Sequence, residues 1–311
     1  MNGLFPQTIT RTALRKIDLH DMRFRISYPS VEKTLFSSIE KLGIIEPVIL
    51  SEGGPPYIIV TGFRRIEAAR KLNLKEIPAI IMKLSRQEAL LASVHTNMHR
   101  GLNIIEKAHA IEKMFRMDAP KADIYELMAM LSLGTHERVL ADLLSIAGAE
   151  DSLKRFIIEH TLSMKNIEYM LRFEKDERKM IMKTLAPVRF TEGYLREILE
   201  MLHLIRIRKG RFTMKLLKDP GNAQELRTRL KKLVHPKLLS LEKRFEEIKK
   251  AAALPPTLDI RVDPFFEKEY IDITIRTKDE KESEKLLEKL NEIFEKGHVR
   301  NILELTKGRV R

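Results

Sequence analysis

Val60-Thr61-Gly62-Phe63-Arg64-Arg65-Ile66-Glu67-Ala68-Ala69-Arg70 decides how this chain is read. A β-rich run ends at Val60, Gly62 permits a tight turn, and a helix is predicted from Phe63 to Leu72. Arg64 and Arg65 fall in its first turn. Unpaired N–H groups and the positive end of the helix dipole gather at that terminus, which favours carboxylates over arginines. A phosphate group relieves the conflict, because a guanidinium offers it a bidentate fork beside the free amides. Two exposed arginines on a surface helix are the alternative.

Around this turn the first hundred residues alternate strand and helix. Arg15 to Leu19 reads as a short strand. A helix from Ser30 places Val31, Leu35, Ile39 and Leu42 on one face, with Gly43 as its stop. The runs Pro47–Leu50 and Tyr57–Val60 flank Ser51-Glu52-Gly53-Gly54-Pro55-Pro56, whose turn chemistry predicts a hairpin. Ile77 to Met82 is another strand. Ser85-Arg86-Gln87-Glu88 is a capping box that starts a helix expected to run to about Val94. Together these make a small α+β domain.

From Asn97 the pattern turns helical. Asn103-Ile104-Ile105-Glu106 is a capping pattern, followed by Ile105, Ala108, Ile111, Met114 and Phe115 on one stripe. Asp123–Met130 and His136–Ile146 are short helices joined by a glycine-containing turn, which suggests a helix-turn-helix. Thr135, His136 and Arg138 open its second helix and are the candidate DNA readers, accompanied by Glu137 and Asp142. Further helices are expected over 152–159, 163–173, 177–185 and 192–207. The methionines of this middle region, at helical spacing, are core filler. After Ala251-Ala252-Ala253-Leu254-Pro255-Pro256, two strands and a helix form a β-β-α unit with a thin core, expected to complete that core against a second copy. Asp259, Asp263 and Glu267 are taken as solvated.

Composition narrows the function classes. The 311 residues suit two or three domains, and 43% hydrophobic content supports real cores. With no cysteine, disulfide scaffolds, thiolate metal sites and cysteine nucleophiles are excluded. The first ten residues lack a secretory pattern, and no apolar run approaches the ~18 residues of a membrane span, so a cytoplasmic protein without membrane partners is expected. A net charge of +13 favours polyanionic partners. The surplus is concentrated: eleven basic residues lie between Arg206 and Lys237, among them Arg206, Arg208, Lys209 and Arg211, opposed only by Asp219 and Glu225. A solvated helical linker that binds nothing is the alternative there.

His95-Thr96-Asn97-Met98-His99-Arg100-Gly101-Leu102-Asn103-Ile104-Ile105-Glu106 is the second polar constellation. Asn97 can offer Mg²⁺ its amide oxygen, and Arg100 can meet a phosphate. A polar interdomain loop with ordinary caps is the alternative. His95 and His99, four apart, lack the third ligand that zinc requires.

The order of these pieces resembles the ParB family of chromosome and plasmid partition proteins. The resemblance rests on Ile44-Ile45-Glu46-Pro47-Val48-Ile49-Leu50, then Gly62-Phe63-Arg64-Arg65, then Thr96-Asn97-Met98-His99-Arg100 with Leu102-Asn103 and Glu106, and spans about residues 15–185. It implies a ParB/sulfiredoxin-like amino-terminal fold that binds CTP with Mg²⁺ and closes into a clamp sliding on DNA. By position, Glu46 and Pro47 lie near the base, Thr61, Gly62, Arg64 and Arg65 hold the triphosphate, Asn97 assists the metal and Arg100 contacts phosphate. Two departures stand out: the family's glutamates after the glycine and before the asparagine are Phe63 and Thr96 here. Neither can ligate Mg²⁺ as a carboxylate does, so nucleotide binding with slow or absent hydrolysis is expected.

The expected architecture is α+β and multidomain. It comprises a nucleotide-binding module over 1–100, a helical helix-turn-helix module over 101–204, a basic helical linker over 205–256 and a dimerisation unit over 257–311. Double-stranded DNA, a second copy of the chain and, by analogy, a ParA-like partition ATPase are the expected partners, with nucleoid-associated localisation. A nucleotide-independent helix-turn-helix transcription regulator and a ParB-fold nuclease or phosphotransferase are the rivals.

Overall fold

The computed structural model describes residues 8–29, 33–210, 217 and 223–307. They fall into two compact units, Met1–Met182 and Lys183–Arg311.

The first unit begins with β1 (Thr10–Ala13), a 3-10 turn (Leu14–Lys16) and β2 (Ile17–Asp18). There follow α1 (Lys33–Leu42), β3 (Val48–Ser51), β4 (Tyr57–Thr61), α2 (Phe63–Lys71), β5 (Glu76–Met82) and α3 (Arg86–Met98). The five strands form one mixed sheet in the order β1-β5-β3-β4-β2. β3 and β4 are the antiparallel hairpin that the turn residues predict, and β3 runs parallel to β5. Val48, Leu50, Ile59 and Val60 are buried, as central strands covered on both faces require. α2 closes one face with Phe63, Ile66, Ala68 and Ala69.

Two expectations in this region change. The strand expected at Arg15–Leu19 is reduced to Ile17 and Asp18, which pair with β4 at one edge of the sheet after a 3-10 turn; β1, paired with β5, forms the other edge. The helix opened by the Ser85–Glu88 capping box continues past Val94 to Met98, so His95, Thr96 and Asn97 are helical rather than part of a loop. Nothing between Val94 and Met98 breaks a helix, and Thr96 satisfies its hydroxyl on the Ala92 carbonyl at 2.8 Å. In α1, Ile39 is buried while Leu42 is exposed; Val31 lies outside the described residues.

The unit continues through α4 (Ile104–Arg116), α5 (Lys121–Met130), α6 (Glu137–Ala147), α7 (Asp151–Glu159), α8 (Met164–Leu171) and α9 (Lys175–Leu185). α4 is central: Ile105, Ala108, Ile111 and Met114 are buried, and it packs against α3, α5 and α6. Phe115 departs from the expected stripe and stays exposed, although Met114 beside it is buried. α5 and α6 are two short consecutive helices in the place where a helix-turn-helix is expected. Met114, Met128 and Met170 are core residues.

In the second unit, α10 (Glu192–Lys209) packs against α11 (Ala223–Val234) through Leu195, Ile198, Leu202, Leu226, Leu230 and Val234. α12 (Pro236–Ala252) begins on a proline, whose missing N–H costs nothing at that position. β6 (Leu258–Val262) and β7 (Ile271–Ile275) form an antiparallel hairpin, followed by α13 (Glu280–Glu295). A further helix, α14 (His298–Thr306), contributes Val299, Ile302 and Leu305 to the core, so the terminal unit has one helix more than the expected β-β-α. Asp259 is not merely solvated: it takes Lys249 at 3.0 Å and Arg261 at 2.8 Å. Asp263 caps the turn by accepting from the Phe265 and Glu267 N–H groups. Among the described residues, no helix is long and apolar enough to cross a membrane.

Candidate functional site

The site grows from the end of β4. Thr61 is buried, and its hydroxyl lies 3.0 Å from that of Thr96 on α3. Gly62 then takes φ +92°, a left-handed conformation open to glycine at little cost. A Cβ there would stand 2.6 Å from Val48 Cγ1, so the turn presses directly on β3. α2 starts without a side-chain cap and without an acid in its first turn. Its terminal amides therefore have no carboxylate of their own.

Two sequence-distant segments bring three guanidinia together. Arg64 and Arg65 come from α2, and Arg100 from the turn after α3. With Glu46, Gly62, Asn97 and His99 they line a cavity of about 160 Å³. Arg65 Nη1 donates to the Glu46 carbonyl at 2.7 Å, the Pro47 carbonyl at 3.1 Å and the Glu46 carboxylate at 3.2 Å. Burial pushes its guanidinium below the usual arginine range, with Glu46 opposing the shift. Arg64 donates to the Tyr28 carbonyl and to Glu106 Oε1, both at 3.2 Å. Arg100 grips Glu106 with both terminal nitrogens, at 2.9 and 2.7 Å, and its Nε reaches Asn97 Oδ1 at 3.2 Å.

The expected nucleotide residues Glu46, Pro47, Thr61, Gly62, Arg64, Arg65, Asn97 and Arg100 are thus brought into one neighbourhood. The sequence marks Glu106 as a helix cap and as one residue of the family resemblance, without a role in the site, and gives Tyr28 no role. The capping pattern flagged Glu106, but nothing local to Tyr28 signals a contact with α4 76 positions or more away. Ser27, on the same segment, has its hydroxyl buried against the cavity with no hydrogen-bond partner among the described residues.

The donors present suit a polyanion. For Mg²⁺ the set is thinner: Asn97 offers an amide oxygen that already accepts from Arg100, while both nearby carboxylates, Glu46 and Glu106, are paired with arginines. The described residues contain no group of three or more His, Asp or Glu side chains placed for a metal. An ion here would draw most of its ligands from phosphate oxygens and water.

Candidate DNA contacts occupy other elements. Thr135 and His136 are exposed at the start of α6. Arg138 is exposed and pairs with Glu168 of α8 at 2.8 Å. Glu137 is engaged by Lys121 and Tyr125. The buried oxygen of Asp142 lacks a hydrogen-bond partner among the described residues, and burial, reinforced by Glu168, raises its proton affinity. In the second unit the basic concentration is partly neutralised: Arg227 forks onto Glu197 at 2.6 and 2.9 Å and Lys231 meets Glu242 at 2.9 Å. Arg206 is half-buried, and Arg208 donates to the Val234 carbonyl. The Lys209 side chain and all of Arg211 lie outside the described residues.

Residues 7–98 match the family model for the ParB N-terminal domain. A probable chromosome-partitioning protein ParB of Vibrio cholerae is 24% identical over 202 residues, covering 64% of this chain and 62% of that protein. Its Coxiella burnetii namesake is 29% identical over 163 residues, covering 51% and 55%. A nucleoid occlusion protein of Listeria monocytogenes is 26% identical over 164 residues, covering 50% and 56%. The chain therefore spans less than two thirds of the length of these relatives. Among solved structures, truncated ParB of Caulobacter crescentus complexed with CTP-gamma-S is 17% identical, with a TM-score of 0.28, covering 57% of this chain and 98% of that one. The same protein complexed to the centromeric parS site is 13% identical, with a TM-score of 0.35, covering 61% and 98%. Residues 7–98 thus match the ParB N-terminal domain, and the chain is similar to chromosome-partitioning proteins of that name.

Proposed function

We propose that this protein binds double-stranded DNA through its helix-turn-helix, takes up CTP with Mg²⁺ in the arginine-lined cavity, and closes as a dimer into a nucleotide-gated clamp serving DNA partition. One observation carries the nucleotide assignment: Arg64, Arg65 and Arg100 converge on a cavity at a helix N-terminus whose first turn holds no acid. That is the chemistry of a phosphate chain, with several charge-assisted donors beside unpaired amides. Cytosine as the base follows from the family resemblance rather than from any contact here. Mg²⁺ would be held through Asn97 and the phosphates, and would supply charge neutralisation. With Phe63 buried and Thr96 bonded to Thr61, no carboxylate stands ready to hold that ion or orient water, so turnover is slow or absent.

Nucleotide favours an engaged pair of amino-terminal domains by population shift, and DNA is enclosed between that contact and a carboxy-terminal one. For the second contact, α13 leaves Leu287 and Phe294 half exposed, an apolar surface suited to a second copy. The basic stretch around Arg206, Arg208, Lys209 and Arg211 holds DNA without sequence preference. A partition ATPase partner rests on analogy alone.

Calorimetry with each of the four nucleoside triphosphates, with and without DNA, tests the assignment. CTP alone should bind, and Arg64→Ala with Arg65→Ala should abolish it; equal affinity for all four, or an indifferent double variant, overturns it. Deleting residues 257–311 should leave monomers that release circular DNA at moderate salt.

A second reading is favoured by the fact that Arg64, Arg65 and Arg100 already have protein partners. On it, the cluster is structural and the protein is a nucleotide-independent helix-turn-helix regulator, whose DNA affinity ignores CTP.

A further inference from the structure

The carboxylate of Glu106 is completely buried, at 0% exposure. It accepts from Arg64 Nη2, from both terminal nitrogens of Arg100, and from the backbone N–H groups of Tyr28 at 3.0 Å and Asn103 at 3.2 Å. A guanidinium fork plus two main-chain amides is the ligand set a phosphate group receives. The anion in it here belongs to the protein.

Geometry makes the two anions competitors. Arg64 and Arg100 line the cavity, whereas Glu106 lies behind them. Arg100 commits Nη1 and Nη2 to Glu106 and Nε to Asn97, so its fork is not offered to a phosphate while that pairing is whole. Arg64 Nη2 is divided between Glu106 and the Tyr28 carbonyl. A phosphate that captures these groups leaves a buried carboxylate short of its counter-charges, which is strongly unfavourable unless the carboxylate moves. Glu106 is on the first turn of α4, a helix that packs against α5 and α6. The strain therefore falls on the helix that supports the helix-turn-helix.

We propose, resting on the nucleotide function above, that Glu106 is the internal occupant of the anion site, exchanged for a phosphate when nucleotide binds. Arg64 and Arg100 pass from one anion to the other, and the first turn of α4 loses its anchor. Glu106 is thus a positioning residue that sets nucleotide affinity against the order of α4.

The test uses the full chain and two probes with Mg²⁺, CTP and inorganic tripolyphosphate. In the unmodified protein, saturating CTP should raise amide hydrogen exchange at residues 105–107 severalfold. Glu106→Gln keeps a side chain able to close the capping box but removes the competing charge. It should bind both probes severalfold more tightly, and its exchange at 105–107 should no longer respond to CTP. Weaker binding of both probes by a folded Glu106→Gln protein would make Glu106 a support for the arginines and overturn the exchange. So would CTP binding to the unmodified chain with unchanged or slower exchange at 105–107, a measurement that stands even if the variant fails to fold. If the unmodified chain binds neither probe, the nucleotide function itself falls, and the exchange with it.

Discussion

Thr61 and Thr96 face each other across the end of β4 and the last turn of α3, their hydroxyls 3.0 Å apart. Thr96 lines the arginine-lined cavity and puts a neutral hydroxyl there. The family resemblance implies a glutamate at the position of Thr96, beside Asn97. Thr96→Glu should therefore confer Mg²⁺-dependent release of phosphate from CTP that the unmodified protein lacks, read by a colorimetric phosphate assay. Phe63→Glu should not, because Phe63 is buried: the new carboxylate should lower stability by about 2 kcal/mol or more in urea unfolding.

Gly62→Ala tests the turn itself. The substitution combines a left-handed backbone with a Cβ 2.6 Å from Val48. Strain of about 1–3 kcal/mol from the backbone and a similar amount from overpacking is expected, shifting the thermal midpoint down by several degrees. Nucleotide binding should weaken with it, because the amides of α2 are aimed by this turn.

Acidification should loosen residues 22–29, whose backbone is held against α4 by Lys113, His109 and Glu106. His109 of α4 contacts the Ile26 carbonyl through Nδ1 at 3.2 Å, and Lys154 Nζ stands 3.3 Å from its Nε2. These partners require Nδ1 to carry the proton and Nε2 to accept. Burial, then the charges of Lys154 and Lys113, lower the His109 pKa below its ordinary 6.5, with the Ile26 carbonyl and Glu112 opposing. A base whose pKa is lower in the folded state binds its proton first in the unfolded state. Its contribution is intact above about pH 6.5 and is lost as pH falls below that value toward the folded pKa. Denaturant midpoints measured from pH 7.5 to 5 should fall, and His109→Gln should flatten that slope.

Arg138, the proposed DNA reader, is exposed and pairs with Glu168 at 2.8 Å. The pair is exposed, so Arg138→Ala should change stability by under about 1 kcal/mol. At a specific site it should cost roughly 1–3 kcal/mol of binding and relax preference at one position. Uniform loss on random DNA, by fluorescence anisotropy, would mark a backbone contact instead.

Much of the domain was legible because its signals are local. The hairpin around Gly53-Gly54, the turn at Gly62, the Ser85 and Asn103 caps and the two short helices after Lys121 each depend on residues a few positions apart. Hydrophobic spacing likewise marked most of the α4 face. The elements that escaped are those whose formation depends on distant partners: β1 exists because β5 offers it an edge, and α14 because Phe245 and Ile260 give its apolar face a core.

The anion chemistry divides the same way. By itself the sequence determined that paired arginines open a helix after a glycine turn, since residue identity and spacing suffice; the replacement of two carboxylates by Phe63 and Thr96 follows from the family resemblance alone. Only the tertiary structure decided where those arginines point. Tyr28, Arg64, Arg100 and Glu106 meet through backbone paths of many residues, and a buried carboxylate takes whatever cations the packed chain brings within hydrogen-bond reach, which no local pattern encodes.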